Sequence, residues 1–255
     1  MPSVDSVQLE AKRFSIVSIS RLEAPENRLL AALPAEDYQR LLPECKLVRL
    51  SLEHSLFDPA EPPEYVYFPH QLAASIVCTM ENGITVEVGF VGREGVVGIQ
   101  AILGGGILPF RSFVQIAGDA TRIPADRLKA EFDRGGALQK LMLRYFQAFL
   151  MQVSQTAACN RLHTLEARFA RWLLLAGDAI GSDDLLLTQE FAAQMLGVRR
   201  AGVTEAAGSL QRSALIRYTR GRVTILDRDG LEKVSCECYR TVRNEFDRLL
   251  GSYSS

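Results

Sequence analysis

One short stretch of the chain concentrates arginine and almost excludes acid. From residue 199 to residue 222 only Glu205 is acidic, whereas six residues are basic, all of them arginine: Arg199, Arg200, Arg212, Arg217, Arg220 and Arg222. The planar guanidinium donates paired hydrogen bonds that suit phosphate oxygens and the O6/N7 edge of guanine. The whole chain has a formal net charge of only -1. This local excess therefore predicts a nucleic-acid surface, and the alternative is an arginine-rich face on an α+β enzyme.

The residues around Gly197 predict a helix-turn-helix. Thr188 suits a helix N-cap, Glu190 suits the dipole of the first turn, and Gly197 suits a sharp turn. Four apolar residues would hold the two helices together: Leu196, Val198, Val203 and Ala206. In such a unit the second helix, here about residues 199–211, lies in the major groove with its N-terminal residues at the base edges. The predicted DNA-contacting residues are Arg199, Arg200, Ala201, Thr204 and Glu205, with Thr188 and Gln189 on the first helix.

The segment LIRYTRGRVTIL predicts a wing beside this unit. It contains two short β-rich runs around Arg220-Gly221, which is typical of a small hairpin. Its arginines, Arg217, Arg220 and Arg222, are expected to contact the DNA backbone. A helix-turn-helix followed by a two-stranded wing is more specific than either part alone.

Upstream, residues 45–123 alternate short β-rich runs with turn residues. ASIVCTMENGITVEVGFVG contains two such runs joined through Asn82-Gly83, a strong hairpin pattern, and RSFVQIAGDATRI repeats the pattern around Gly118-Asp119. Several short strands at this spacing predict an antiparallel sandwich or roll. Two short helices precede it, with Pro34 opening the second.

A long helix is predicted to follow the strands. From Ala137 to about Asn160 the chain has no Gly or Pro, and its apolar residues recur at spacings of three and four. The main stripe comprises Met142, Phe146, Phe149 and Val153, and a second set widens it: Leu138, Leu141, Tyr145 and Leu150. So wide an apolar surface requires two partners, the roll and a twin helix of a second copy. Alternatively, both faces pack inside one domain.

Length and composition indicate an intracellular, multi-part protein. The chain has 255 residues, 47% of them hydrophobic and 23% charged, and it has no apolar run that suggests a membrane span or a secretion signal. Five scattered cysteines favour a reducing cytoplasm. The predicted parts are a mobile tail (1–25), the roll (26–134), the long helix and hinge (135–162), the winged helix-turn-helix (163–227) and a C-terminal helical extension (228–255). In the extension, GLEKVSCECYRTVRNEFDRLLG is expected to form one amphipathic helix.

This order of parts resembles the Crp–Fnr superfamily of bacterial transcription regulators over about residues 26–227. The similarity is clearest in TQEFAAQMLGVRRAGVTEAAGSLQRSALIRYTRGRVTI. The resemblance implies an α+β fold with an N-terminal antiparallel β-roll of the cyclic-nucleotide-binding, double-stranded β-helix type. It also implies a homodimer on the long helix that binds a palindromic operator, with RNA polymerase as a further partner. The family's recognition helix commonly has Arg-Glu and then Arg one turn later, whereas this chain has Arg200, Ala201 and Glu205. A different operator is therefore expected.

The resemblance also points to an effector site in the roll. Arg111-Ser112 matches the pair that holds the cyclic phosphate in nucleotide-binding members, but Gly98-Ile99-Gln100 replaces their Gly-Glu-Leu segment. Without the carboxylate, a charge-assisted hydrogen bond of about 1.5–3 kcal/mol is lost, which argues against a cyclic nucleotide. The candidate effector residues are Gly98, Arg111, Ser112 and Ser154. Arg111 could equally be an ordinary strand residue, and a constitutive or protein-regulated dimer is the alternative function.

The cysteines and histidines predict neither a metal site nor an enzyme. The first 44 residues lack cysteine, and Cys45, Cys78, Cys159, Cys236 and Cys238 are spread over the roll, the long helix and the C-terminal segment, so no iron–sulfur cluster or haem is expected. Cys236-Glu-Cys238 is interpreted as half-buried packing, and His163 as a helix cap near the hinge. A cupin-like metal enzyme would need more ligands than His54 and His70 in the roll, and no GxSxG or P-loop motif occurs.

Overall fold

The computed structural model describes residues 15–16 and 25–251. The predicted mobile tail, residues 1–25, therefore lies outside the described residues except at Ser15, Ile16 and Pro25. Ser15 and Ile16 form a short strand, β1, that pairs antiparallel with residues 48–49.

The N-terminal half is an antiparallel β-roll, as predicted. Its strands are β1 (Ser15–Ile16), β2 (Lys46–Leu50), β3 (Ser55–Phe57), β4 (Tyr65–Pro69), β5 (Ala73–Thr79), β6 (Thr85–Val91), β7 (Arg111–Ile116) and β8 (Gly118–Pro124). They form two four-stranded sheets with the orders β1-β2-β8-β4 and β3-β7-β5-β6. Val48 and Ala120 of the first sheet and Val91 and Val114 of the second belong to one buried cluster. The two sheets thus pack face to face around a shared core.

The two predicted hairpins have different outcomes. β5 and β6 pair through the Asn82-Gly83 turn, where Gly83 has a φ of +81°. The prediction of a hairpin around Gly118-Asp119 is wrong, because β7 and β8 belong to different sheets and the chain crosses from one sheet to the other between them. A Cβ on Gly118 would lie 2.3 Å from the carbonyl oxygen of Gln71. This glycine therefore permits a close approach of two backbone segments at the crossing rather than a tight turn.

Helices make up most of the remaining described chain. Before the roll lie α1 (Arg28–Ala31) and α2 (Ala35–Leu41). Pro34 opens α2, as predicted, and occupies its N-cap position. After it come α3 (Ala125–Asp133), α4 (Ala137–Leu162), α5 (Leu165–Ile180), α6 (Gln189–Leu196), α7 (Arg200–Arg212), α8 (Arg228–Val234) and α9 (Cys238–Leu250). Three short strands accompany them: β9 (Asp184–Leu186), β10 (Ile216–Thr219) and β11 (Arg222–Ile225). Among the described helices, none has the length and hydropathy that a bilayer span requires.

The long helix α4 has two of its faces covered by this same chain. On the roll side, the Tyr145 hydroxyl donates to the carbonyl oxygen of Val96 at 3.1 Å. On another side α9 packs along it, with Tyr145 and Phe246 edge to face at 6.3 Å between ring centroids. Leu143, Phe146 and Leu150 nevertheless remain exposed. Packing within the chain thus accounts for much of the apolar surface, but not for this stripe.

The C-terminal segment is two helices rather than the predicted single amphipathic helix. α8 ends at Val234, where Ser235 turns to an extended conformation with ψ 156°, and α9 begins at Cys238. Asp227 is the side-chain N-cap of α8. The break places Cys236 and Cys238 at the start of α9, beside the C-terminal end of α4.

The helical C-terminal region packs directly on the second sheet of the roll. Phe113 of β7 meets Phe191 of α6 edge to face, with 6.3 Å between ring centroids. Ala73, Val77 and Phe90 of the roll share a buried cluster with residues of α5, α6 and α7. A single core therefore joins the roll to the helices behind the arginine-rich stretch.

A buried carboxyl group lies at this junction. Glu87 of β6 accepts hydrogen bonds from Ser75 Oγ at 2.6 Å and from Trp172 Nε1 of α5 at 3.2 Å. Burial raises its pKa to about 7, against the opposing effects of the Ser75 hydrogen bond and the Arg171 charge. The roll and α5 thus share a polar contact whose charge depends on pH near neutrality.

Candidate nucleic-acid interface

The predicted turn at Gly197 is present, and its geometry explains the glycine. Gly197 is left-handed with φ +64°, and the N–H of Val198 donates to the carbonyl of Ala193 at 2.9 Å, as at a typical helix C-terminus. At the other end, the Thr188 hydroxyl accepts from the N–H of Phe191 at 3.2 Å, which makes it the predicted N-cap. Residues 188–198 therefore form a short, well-terminated first helix.

The second helix, α7, packs on the first as the apolar pattern predicts. Leu196, Val203 and Ala206 are buried, and Val198 is half-buried. A polar bond is added at the surface, where the Thr204 hydroxyl donates to Gln189 Oε1 at 2.8 Å. Gln189 and Thr204, both predicted DNA contacts, thus bond to each other and connect the two helices.

Arg168 of α5 is a residue of this unit that the sequence analysis missed. It is 9% exposed, and its Nη2 donates to the carbonyl of Leu196 at 2.6 Å, at the C-terminal end of α6. A positive charge there stabilises the helix dipole and satisfies a terminal carbonyl. The run LEARFARWLLL indicates an amphipathic helix, but nothing in it indicates which carbonyl its arginine would reach.

The N-terminal turns of α7 present the predicted base-reading residues to solvent. The exposed residues there are Arg199, Arg200, Ala201, Thr204 and Glu205. Four of them, at 200, 201, 204 and 205, are spaced so that they share one face of the helix. The structure thus brings this predicted set together on one open surface.

A wing of three strands follows. β10 and β11 are antiparallel, with Ile216 opposite Ile225 at one end and Thr219 opposite Arg222 at the other. In the turn between them, φ is +49° at Arg220 and +77° at Gly221. Positive φ at both central residues is typical of the type I′ turn, whose backbone twist matches that of the two strands it joins. The third strand, β9, pairs with β11 and was not predicted from the sequence. Its three residues are too few to carry a recognisable alternation.

Tyr218 connects the wing to the two helices. Its hydroxyl donates to the carbonyl of Leu187 at 2.9 Å, and its N–H donates to Gln211 Oε1 at 2.8 Å. Burial raises the pKa of Tyr218 to about 12, with the Arg200 charge acting in the opposite direction. Arg200 therefore lies within electrostatic range of the wing.

The arginines of this region are exposed and have no acidic partner among residues 25–251. None of the ion pairs found in this part of the chain includes Arg199, Arg200, Arg212, Arg217, Arg220 or Arg222. All six are exposed. Unpaired guanidinium groups on a helix start and an adjacent wing can bind phosphate oxygens and base edges.

The four predicted effector residues occupy varied environments. Gly98 is left-handed at φ +91°, Arg111 pairs with Asp58 at 3.3 Å, and both of these charged side chains are about half exposed. Ser112 is fully buried, and its hydroxyl has no hydrogen-bond partner within the described chain. Ser154 lies exposed on α4, where its hydroxyl donates to the carbonyl of Leu150 at 2.9 Å. Their role in binding an effector remains a prediction.

The expectation that the cysteines do not converge is wrong for three of them. One potential ligand atom from each of four residues lies within 4.8 Å of the others: Cys159, His163, Cys236 and Cys238. His163 does terminate α4, as its position near the hinge predicted, but its ring also lies against Glu237 at 3.2 Å. Cys159 and Cys236 are separated by 77 residues. Only the packing of α9 on α4 reveals their proximity.

Comparison with known proteins agrees with this architecture. Residues 167–234 match the Crp-like helix-turn-helix domain family. No curated protein matches the chain.

Solved structures match over most of the chain at low identity. One is a putative transcriptional regulator of the Crp/Fnr family from Eubacterium rectale, with 16% identity, coverage of 81% of this chain and 96% of that one, and a TM-score of 0.61. FixK2 from Bradyrhizobium japonicum gives 15% identity, 75% and 98% coverage, and a TM-score of 0.63. A CRP-family transcriptional regulator from Thermus thermophilus is 20% identical to this chain, and the match has a TM-score of 0.59. It covers 73% of this chain and 95% of that one.

These matches establish the fold of the chain and the family of its helix-turn-helix domain. Residues 167–234 are a Crp-like helix-turn-helix domain, and the chain has the α+β fold of the Crp/Fnr regulators. Together they support a DNA-binding transcription regulator whose helix-turn-helix domain is Crp-like.

Proposed function

We propose that this regulator binds a palindromic operator as a homodimer, with α7 in the major groove and the wing on the backbone. The observation that carries the proposal is the exposed set of six arginines, unpaired within residues 25–251, on α7 and the wing. Each arginine that meets a phosphate replaces a condensed counterion, so this set supplies affinity as well as orientation.

Within that surface we assign base reading chiefly to the first turn of α7. Arg200 would donate a bidentate pair of hydrogen bonds to guanine O6 and N7. Ala201 offers only a methyl group, which suits the thymine methyl, and Glu205 can accept from a cytosine amino group. Gln189 and Thr204, which bond to each other, position the two helices while their remaining polar capacity faces the DNA.

The exposed stripe of α4 supports the homodimer. Leu143, Phe146 and Leu150 are spaced by three and four residues and are 49%, 38% and 55% exposed. The roll and α9 of the same chain already cover the other faces of α4. The partner that fits this stripe is therefore the α4 helix of a second copy. A two-fold axis along this helix would set two recognition helices against half-sites about one helical turn apart.

The dimer can be tested on the full chain. Leu150→Glu places a charge in the stripe and is expected to shift sedimentation towards the monomer, while Leu52→Glu, also at an exposed leucine but in the roll, is the matched control. A wild-type protein that sediments as a stable monomer would contradict the dimer.

An effector in the roll is the further element of the proposed function. Ser112 Oγ and Gln100 Nε2 are each buried without a hydrogen-bond partner in the described chain, and a polar ligand group that reached either atom would satisfy it. Phe113 follows Ser112 on β7 and contacts Phe191 of the first DNA-binding helix. Movement of β7 would thus reach α6 directly, which is the differential contact that coupling requires. The alternative is a constitutive or protein-regulated dimer.

Selection of bound DNA from a random pool tests the DNA-binding proposal. A palindromic consensus is expected, and recovery of unrelated sequences would contradict sequence-specific binding. Repeating the selection with a metabolite panel tests the effector, because a ligand-dependent change in operator affinity is expected only if the roll is a sensor. In this setting the protein resides with the chromosome in the bacterial cytoplasm, and RNA polymerase is the expected protein partner.

A further inference from the structure

We propose that Cys159, His163, Cys236 and Cys238 form a Cys3His site for a single thiophilic divalent cation, Zn²⁺ foremost. The site would fasten the C-terminal helix α9 to the end of α4, at the hinge that leads into the DNA-binding region. The proposal is independent of DNA binding, since it depends on the side chains that converge at this one point.

The separations between the ligand atoms fit a mononuclear tetrahedral centre. All four ligand atoms lie within 4.8 Å of one another. Two of the separations are 3.5 Å each, between Cys159 Sγ and Cys236 Sγ and between Cys238 Sγ and His163 Nδ1. Zinc–sulfur bonds of about 2.3 Å and zinc–nitrogen bonds of about 2.0–2.1 Å place neighbouring tetrahedral ligands about 3.6–3.8 Å apart. A multi-iron cluster would interpose iron and sulfide between its ligands and needs a wider arrangement.

The backbone explains why the four residues meet. Cys159 and His163 are one turn apart at the end of α4, and the His163 N–H donates to the Cys159 carbonyl at 3.1 Å. Cys236 lies two residues before Cys238, the first residue of α9, and the Tyr239 N–H donates to the Cys236 carbonyl at 3.1 Å. A helix C-terminus thus supplies one pair of ligands and a helix N-terminus supplies the other.

The surrounding hydrogen bonds are those that orient metal ligands. His163 Nε2 lies 3.2 Å from Glu237 Oε1, so a proton held between them leaves Nδ1 free to face a cation beside Cys238. This is the carboxylate–histidine–metal arrangement. Gln155 Nε2 donates to Cys238 Sγ at 3.1 Å, a hydrogen bond that would stabilise this sulfur as a metal-bound thiolate.

Buried positive charge would balance the loaded site. Three thiolates and one divalent cation carry a net charge of -1. Arg168 and Arg171 are 9% and 5% exposed, lie within electrostatic range of Cys159, and each has an Nε without a hydrogen-bond partner in the described chain. Arg171 also faces the carboxyl group of Glu87, whereas Arg168 donates to the neutral Leu196 carbonyl and would gain a counter-charge from the thiolates.

Simple packing explains this cluster less well. The three cysteines form a buried group of their own, and among the described residues Ala167 is the one half-buried apolar neighbour packed against it. Small thiols in so limited an apolar group contribute little burial energy, yet Cys159 and Cys238 are fully buried. A Cys159–Cys236 disulfide would require the sulfurs to close to about 2.05 Å and would use only two of the four groups.

Metal content of the full chain tests the site. Protein purified in a non-chelating reductant is expected to contain one zinc ion per chain, and Co²⁺ in its place should give the intense visible bands of tetrahedral thiolate coordination. Cys236→Ser should abolish those bands, whereas Cys45→Ser and Cys78→Ser, at cysteines outside the cluster, should preserve them. Glu237→Gln should weaken Co²⁺ binding about 10–100-fold through loss of the outer carboxylate.

A hydrogen-exchange measurement covers the case in which Cys236→Ser fails to fold. A chelator should increase amide exchange across residues 238–250 of the wild-type chain, and added Zn²⁺ should restore protection. Folded, reduced protein that binds neither Zn²⁺ nor Co²⁺ would overturn the proposal. So would quantitative recovery of a Cys159–Cys236 disulfide from metal-free protein, or equal loss of the cobalt spectrum in Cys45→Ser. None of these measurements involves DNA, so they succeed or fail separately from the proposed operator binding.

Discussion

The six arginines on α7 and the wing carry the same charge as the two arginines of α5, but the first group is exposed and the second is buried. The first group is exposed and has no carboxylate partner in residues 25–251, whereas Arg168 and Arg171 are almost fully enclosed. Arg168 donates to a helix-terminal carbonyl of this chain. Positive charge that water solvates remains available to another molecule, but positive charge in the interior must be matched by groups of the chain itself. The same residue type therefore supports binding in one region and architecture in the other.

Replacing an enclosed arginine should have the largest effect on the fold. Arg168→Ala leaves the Leu196 carbonyl without its donor and removes the packed side-chain stem, so the free energy of unfolding should fall by about 1.5–3 kcal/mol. Denaturant unfolding measures this change. Arg199→Ala, at the exposed N-cap position of α7, is the control and should stay within about 0.5 kcal/mol. Equal stability of both variants would remove the distinction between the two groups.

Replacing a reading arginine should affect operator binding and leave the fold unchanged. Arg200→Ala is expected to cost about 1–3 kcal/mol on the selected operator and to relax specificity at one base position, because one bidentate contact is lost. Titration against operator and scrambled duplexes measures it. The same loss on both duplexes would show that Arg200 does not read a base.

The wing arginines should contribute a smaller part of the DNA-binding free energy, and that part should not depend on the DNA sequence. Arg220→Ala or Arg222→Ala should weaken binding to every duplex and reduce the salt dependence of log K by about one counterion. Affinity measured over a series of salt concentrations gives the slope. Arg240→Ala, exposed on α9, should leave the slope unchanged. A wing variant that behaves like Arg240→Ala would exclude the wing from the interface.

The buried acid beside Arg171 should give the most gradual effect, spread over pH. The folded-state pKa of Glu87, about 7, lies above its ordinary value of 4.5. Between these values the folded state holds a proton that the unfolded state has released, so stability should fall as pH rises from about 4.5 to about 7. Glu87→Gln should remove this part of the slope and be the more stable form above neutrality. Parallel slopes for both proteins from thermal unfolding would contradict this account.

Local patterns in the sequence predicted elements well where each element is made by adjacent residues. The Asn82-Gly83 hairpin, the end of α6 at Gly197 and the N-cap at Thr188 each depend on the conformational preference of one or two residues. Gly118 failed as a turn signal because glycine also serves where two backbone segments approach closely, and the two uses look alike in sequence. The break between α8 and α9 also escaped prediction, since neither Gly nor Pro marks it.

The sequence by itself determined that this protein has a roll, a long helix and an arginine-rich helix-turn-helix with a wing, because periodicity, turn residues and local charge act over short distances. The tertiary structure alone decided what lies next to what. It placed α9 on α4, Arg168 beneath the end of α6, and Cys159 beside Cys236. Those contacts depend on how distant segments fold back on one another. No short-range pattern encodes the position of a partner 28 or 77 residues away.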